Sequence, residues 1–312
     1  MVLLVGTFDG LFAVPEDDDI TPERLLDATV HRLHSTTDGC IAATESGLYR
    51  TADGRSWDHV ADLPGAAVST AVSPGAERWY VGTDPAAVYV STDDGSSWHE
   101  LDALQSVPDR ERWRDRAPGD DASVRTMAVH PGAPDRLAVG IEPGGVYLSV
   151  DGGETWSERS AGVHDDVHHL LALGADEYVA ACGNGLYRTD DAGRTWLRQD
   201  TDFRDFWFNY FRESCQHDGT LYTAANGWGP AAPGGALFEA DESGEVDRLP
   251  YPGENESFVV SWAVDDGMVY AGTMDVRDGF GQYESARILR REDHGWFEVA
   301  TVPAGARTLA TI

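Results

Sequence analysis

Two sets of polar residues stand at matching places in successive segments of this chain, and between them they could do chemistry. Asp9, Glu45, Asp84, Glu142, Asn184, Trp228 and Asp275 each follow a short apolar stretch ending in Gly-Thr or a variant of it. His31, Ser69, Arg125, His168, Tyr210, Ser257 and Arg307 each stand near the start of an apolar segment. Carboxylates gathered around Arg and His can clamp a polar ligand or a cation. Two carboxylates roughly 5–10 Å apart are also what a glycosidase needs. The plainer role for the same residue types is turn formation and acidic surface. His164, His168 and His169 with Asp165 and Asp166 have the composition of a metal cluster. Neighbouring residues on a strand point to opposite faces, which argues against an ion shared by His168 and His169. No metal and no cofactor is expected.

Longer segments carry further candidates. Residues 105–121 place Arg110, Arg112, Arg114 and Arg116 around Trp113, the densest positive patch in the chain. They read either as an Arg/Asp salt-bridged lid or as a lid that contacts an anion or a partner. The link at 201–209 and the residues just after it supply Phe203, Phe206, Trp207, Phe208, Tyr210 and Phe211, too many aromatics for all to point inward from a short link. Exposed members would offer a stacking platform to a sugar or a partner. Trp228 lies in a third insertion, 227–235, and Asp275 in a fourth, 274–286.

The elements that must position these residues are announced by a repeat. Ser91–Trp98, Ser149–Trp156 and Thr189–Trp196 all read [ST]-x-D-x-G-x-[ST]-W, and Arg50–Trp57 is a worn fourth copy. Each follows a Tyr: Tyr89, Tyr147, Tyr187 and Tyr49. Asp and Ser/Thr side chains bond the backbone of a tight turn, Gly supplies positive φ, and Trp starts the next strand. The motif resembles the Asp-box, or bacterial-neuraminidase repeat, which is shared by sialidases, other glycosidases, sortilin-type receptors and photosystem-assembly-factor-like scaffolds. That resemblance implies a β-hairpin turn on a propeller blade. It implies little about activity.

Read outward from these turns, a four-strand grammar recurs, one supersecondary unit per repeat. Four units are plain, at roughly 30–62, 67–104, 123–162 and 167–200, and two more lack the turn motif but keep the grammar. The N-terminal LLVGTFDGLFAV and the C-terminal ARTLATI supply complementary parts of a seventh. The expected fold is all-β: a seven-bladed β-propeller of four-stranded antiparallel blades, one domain over 1–312, closed by pairing the C-terminal inner strand with the N-terminal strands. The four Trp residues of the turn motif, Trp57, Trp98, Trp156 and Trp196, are 41, 58 and 40 residues apart. The excess in the middle interval is a link between blades. It and the other three insertions should all lie at the end of the blades opposite the repeated turns. Loops grouped at one end of a rigid scaffold are where binding is usually built.

Composition limits the partners. The formal charge is −31 on 312 residues, every cationic side chain is Arg, and 41% of residues are hydrophobic. Acidity spread over a chain with enough apolar residues for a core resembles proteins adapted to molar salt, where the Debye length falls to about 3 Å. With no basic stripe, nucleic-acid binding is not expected. No stretch approaches a membrane span and no leader is visible, so a cytoplasmic protein is expected. Cys40 and Cys182 sit in apolar patterns as buried thiols. A sialidase resemblance would require an Arg triad, a Tyr/Glu pair and an acid/base Asp. Arg125, Arg212 and Arg307, with Tyr210 and Glu213, could be arranged so, but no spacing selects them, and the early Arg-Ile-Pro segment is missing. The reading is a non-catalytic propeller that binds a small molecule, a glycan or a protein on its loop-bearing face, with a glycoside hydrolase as the alternative. The proposed contacts are Asp9, Glu45, Asp84, Trp113, Arg125, Glu142, His168, Trp207, Tyr210, Trp228, Asp275 and Arg307.

Overall fold

Short apolar strands bounded by glycine turns pair into seven antiparallel sheets of four strands each, a seven-bladed β-propeller. The computed structural model describes residues 2–15, 21–74, 78–113, 121–201, 208–227, 234–241, 246–252, 258–274, 285–293 and 295–312. The first blade joins the chain ends: Ala306–Thr311 pairs with Leu3–Thr7, Leu3 standing opposite Thr311. The inner strands of the other six are Val30–Thr36, Ala66–Ser73, Ser123–His130, Val167–Ala172, Phe208–His217 and Phe258–Asp265. Each is followed in the chain by its blade's outer strands.

The residues form two compact units, one of 1–42, 50–58 and 201–312, the other of 43–49 and 59–200. In the first, inner strands pack in the order sixth, seventh, first, second blade; in the second, in the order third, fourth, fifth. The recurrent Gly-Thr pair explains this packing. A Cβ on Gly82 would lie 2.6 Å from Val124 of the next inner strand, and one on Gly140 2.7 Å from Val167. Gly6 stands in the same relation to Val30, at 2.6 Å, and Gly272 to Leu309, at 2.2 Å. Glycine therefore lets one inner strand lie directly on the second strand of the preceding blade. Inner-strand hydroxyls then stitch the blades. Leu170 donates its N–H to Thr126 (3.0 Å), Leu33 to Thr308 (3.0 Å) and Leu309 to Ser261 (2.9 Å).

The repeated turns are closed by their own side chains. In the third blade Gly95 N–H donates to Ser91 Oγ (2.9 Å), and Ser97 donates its N–H and its hydroxyl to Asp93 (2.8 and 2.6 Å). The turns at Ser149–Trp156 and Thr189–Trp196 repeat these bonds. In the shortened copy Thr51 and Asp53 bond Gly54, Arg55 and Ser56. These donors hold the Asp53, Asp93 and Asp191 carboxyls down at about 2. These carboxylates accept their bonds from their own turn.

Candidate functional site

Antiparallel pairing sets the start of each inner strand beside the end of its second strand. Ser123 lies opposite Glu142, Val167 opposite Cys182 and Ala66 opposite Asp84. In these three blades the two sets of polar residues recognised in the sequence are thereby brought to one end. The register then slips by a residue: the skipped positions are Val68, Arg125, His168, Asn209, Val260 and Arg307. A bulge leaves one residue outside the ladder and re-aims its side chain. Three of the six bulged residues are the cationic or imidazole side chains Arg125, His168 and Arg307.

Around the fourth and fifth blades the bulges build a convergent cluster. Arg125 Nε lies 3.0 Å from Glu142 Oε2, His168 Nε2 lies 3.1 Å from Asp166 Oδ1, and 3.9 Å separate His168 Nε2 from Glu142 Oε1. The His168 side chain is almost fully buried, whereas Glu142 and Asp166 keep about a third of their side-chain surface in solvent. Asp166 is fixed by its neighbours: its N–H donates to His164 Nδ1 (3.2 Å) and its carbonyl accepts from Gly183 N–H (3.0 Å). One donor atom each from Glu142, Asp166 and His168 lie within 4.8 Å of one another. Two carboxylates and an imidazole suit a divalent transition ion, although Arg125 on Glu142 already neutralises part of that charge. The same four side chains also suit a polar ligand with both donors and acceptors.

The first-blade candidates form a second group. Arg307 Nη2 is 2.9 Å from His31 Nδ1 and its guanidinium lies over Phe8, 4.5 Å from the ring centre. Asp9 is exposed, 3.4 Å from Arg24, with its N–H on Thr7. Deeper in the same unit, Arg32 of the second blade pairs with Glu213 of the sixth at 3.2 Å, joining inner strands separated by two others. Burial pushes the Glu213 carboxyl above its ordinary range, with Arg32 opposing the shift. His34, further along the same strand, is pushed down to about 4 by burial and by Arg32.

Other candidates are placed differently. Trp113 is fully buried in the core: its indole N–H donates to Tyr147 Oη (2.9 Å) and its ring is 4.8 Å from the Arg110 guanidinium. A side chain so enclosed presents no surface to a ligand. Arg112 faces Asp109 and Glu158 at 3.9 and 3.8 Å, which fits the salt-bridged reading of this link. The link returns to the loop end of the third blade, where Gln105 donates to Ala86 O (2.8 Å). Tyr210 is half-buried against Phe258 and accepts from Arg212 (3.2 Å), and Phe211 is core. Glu45 and Asp84 are exposed at their turns. Trp207, Trp228 and Asp275, with Phe203, Phe206, Arg114 and Arg116, lie outside the described residues. Sequence reasoning had named Glu142 with the turn residues and Asp166 with the histidines. Only the bulged register shows that they meet.

Neither a protein-family model nor a curated protein sequence matches the chain. Solved structures do. A GH74 enzyme of Niastella koreensis aligns with a TM-score of 0.67 at 18% identity, over 95% of this chain and 46% of that one. The WD40 propeller domain of Doa1 aligns with a TM-score of 0.62 at 14% identity, over 90% and 86%. YCF48 from Cyanidioschyzon merolae gives 0.58 at 14% identity, over 94% and 89%. This chain spans less than half the length of the GH74 enzymes it matches. At such identities the likeness is one of fold: the chain shares the β-propeller architecture of both enzymes and WD40 domains.

Proposed function

We propose that this chain is a non-catalytic binding propeller whose ligand contacts lie at the loop-bearing end of the inner strands, centred on Arg125, Glu142, Asp166 and His168. The observation that carries this reading is the convergence of those four side chains from two blades, two of them on bulged positions. Such an arrangement can hold a polar small molecule or a glycan by paired donors and acceptors. Arg125 lies 3.0 Å from Glu142 and His168 lies 3.1 Å from Asp166, and these pairings support a clamp for a polar ligand. Glu45 and Asp84 belong to the same proposal as peripheral contacts, and Asp9, Tyr210 and Arg307 are proposed as contacts of their own group around the first and sixth blades. Acidity without lysine leads us to place the protein in a salt-rich cytoplasm.

The test is a thermal-shift panel of monosaccharides, xyloglucan oligosaccharides, nucleotides and Mn2+ or Zn2+ in molar KCl. One class should raise the melting temperature of the wild type and leave that of a Glu142→Gln/His168→Ala variant unmoved. Equal shifts in both proteins would remove the cluster from the binding site, and a shift confined to the metal ions would make it a metal centre.

A glycoside hydrolase remains a second reading, supported by the buried, upward-shifted Glu213 and by the GH74 neighbours. Arg32 pairs with Glu213 at 3.2 Å. Release of reducing ends from xyloglucan that disappears in Glu213→Gln would establish it.

A further inference from the structure

The outer edge of the fourth blade carries a feature that the inner cluster does not use. A cleft of about 470 Å3 is lined by Arg112, Arg159 and Arg194, with Gly144, Gly145 and Ser160 among its walls. Several cations elsewhere in this acidic chain are engaged: Arg78 with Asp135, Arg136 with Asp176, Arg198 with Asp200 and Arg291 with Glu239. Arg159 and Arg194 have no carboxylate within ion-pair distance among the described residues, and each makes one hydrogen bond to a carbonyl, Glu158 O and Asp191 O. The Arg159 Nε is buried with no hydrogen-bond partner among the described residues. Each guanidinium therefore keeps N–H donors that no carboxylate of the described residues takes up.

The fold builds the cleft from parts that are fixed. Gly145 has a φ of 85°, and a Cβ there would lie 2.3 Å from Ser160 Oγ, so glycine lets the link that leaves the fourth blade close against the turn. A Cβ on Gly144 would lie 2.8 Å from Trp113, whose burial seats the preceding segment and sets Arg112 at the rim. Arg159 is anchored by its own backbone: its N–H donates to Val146 O (2.7 Å) and its carbonyl accepts the Trp196 indole N–H (2.7 Å). The volume is that of a small-molecule site. Glu158 and Asp165 also line it and Arg112 already faces Asp109 and Glu158, which sets a charge limit: Arg159 and Arg194 can take a compact anion, and the carboxylates disfavour an extended polyanion.

We propose that this cleft binds a small multivalent anion, a phosphate- or carboxylate-bearing metabolite, through Arg159 and Arg194 with Arg112 at the rim. Guanidinium forks meet phosphate and carboxylate oxygens in paired charge-assisted hydrogen bonds, and the acidic surround then excludes larger polyanions. The cleft shares no lining side chain with the inner cluster, although its wall residue Asp165 adjoins Asp166 in the chain, and its test does not involve the cluster.

Isothermal titration of inorganic phosphate and of malonate, at fixed ionic strength in potassium chloride, tests the proposal and tells the two chemistries apart. At least one should bind the wild type saturably at one site. Arg159→Gln/Arg194→Gln should weaken that anion by about tenfold or more, and Glu158→Gln should tighten it. The exposed Arg194→Gln alone gives a smaller loss and covers the case in which the double variant misfolds. Arg55→Gln, on a remote turn, should bind as the wild type does. Failure of both anions to saturate the wild type, or unchanged binding in Arg194→Gln and the double variant, would overturn the proposal.

Discussion

At the scale of single residues, burial and charge separate structural side chains from functional ones. His34 illustrates the first kind. Its imidazole is held at about 4, against 6.5 for an ordinary histidine, so between these values the unfolded chain binds a proton that the folded chain refuses. Stability therefore falls as pH drops from about 6.5 towards 4. Urea denaturation across that window should show the loss, and His34→Gln should flatten it; an unchanged slope would mean that His34 is not the group responsible. The turn aspartates act lower. With Asp53, Asp93 and Asp191 held near 2, their contribution is present above the ordinary carboxylate range and is lost as pH falls through about 2. Trp113 tests the core reading of a residue first read as a contact. Trp113→Ala should cost about 3–5 kcal/mol in chemical denaturation. A loss of binding with stability intact would return it to the site.

At the scale of elements, the Gly-Thr pair and the bulge carry the argument. Gly82→Ala needs no unusual φ, but its Cβ would press on Val124 at 2.6 Å, so overpacking of about 1–3 kcal/mol is expected from denaturant titration. A neutral result would show that the inner strands slide apart readily. The sequence made strands, turns and their order readable, because Tyr, Asp, Gly and Trp recur at fixed offsets and each has a turn or packing role. Much of the site was not readable. Glu142 and Asp166 come from different strand ends, and a one-residue register slip, invisible in a hydrophobic pattern, turns Arg125 and His168 towards them. Trp113 was misleading for a related reason. An aromatic ringed by arginines looks like a lid in sequence, and only the pairing with Tyr147 reveals a core side chain. The cleft arginines were hidden too: Arg159 and Arg194 lie far apart in the chain and share no motif.

At the scale of the whole molecule, charge and connectivity make the predictions. A formal charge of −31 repels itself at low ionic strength and is screened as salt rises, so the melting temperature should climb steeply between dilute buffer and molar KCl. A flat response would separate the acidity from salt adaptation. The second blade contributes residues to both compact units, and we propose that the chain unfolds as one domain. Calorimetry should give a single transition; two resolved peaks would contradict that. The central claim is binding without turnover at the Arg125, Glu142, Asp166 and His168 cluster, away from the repeated turns. Its most direct test is titration of the ligand class found by the thermal-shift panel into wild-type protein and into His168→Ala, with reducing-end release followed in parallel. Affinity should fall by about tenfold or more in the variant, with no release in either protein. Unchanged affinity in His168→Ala, or steady hydrolysis by the wild type, would contradict it.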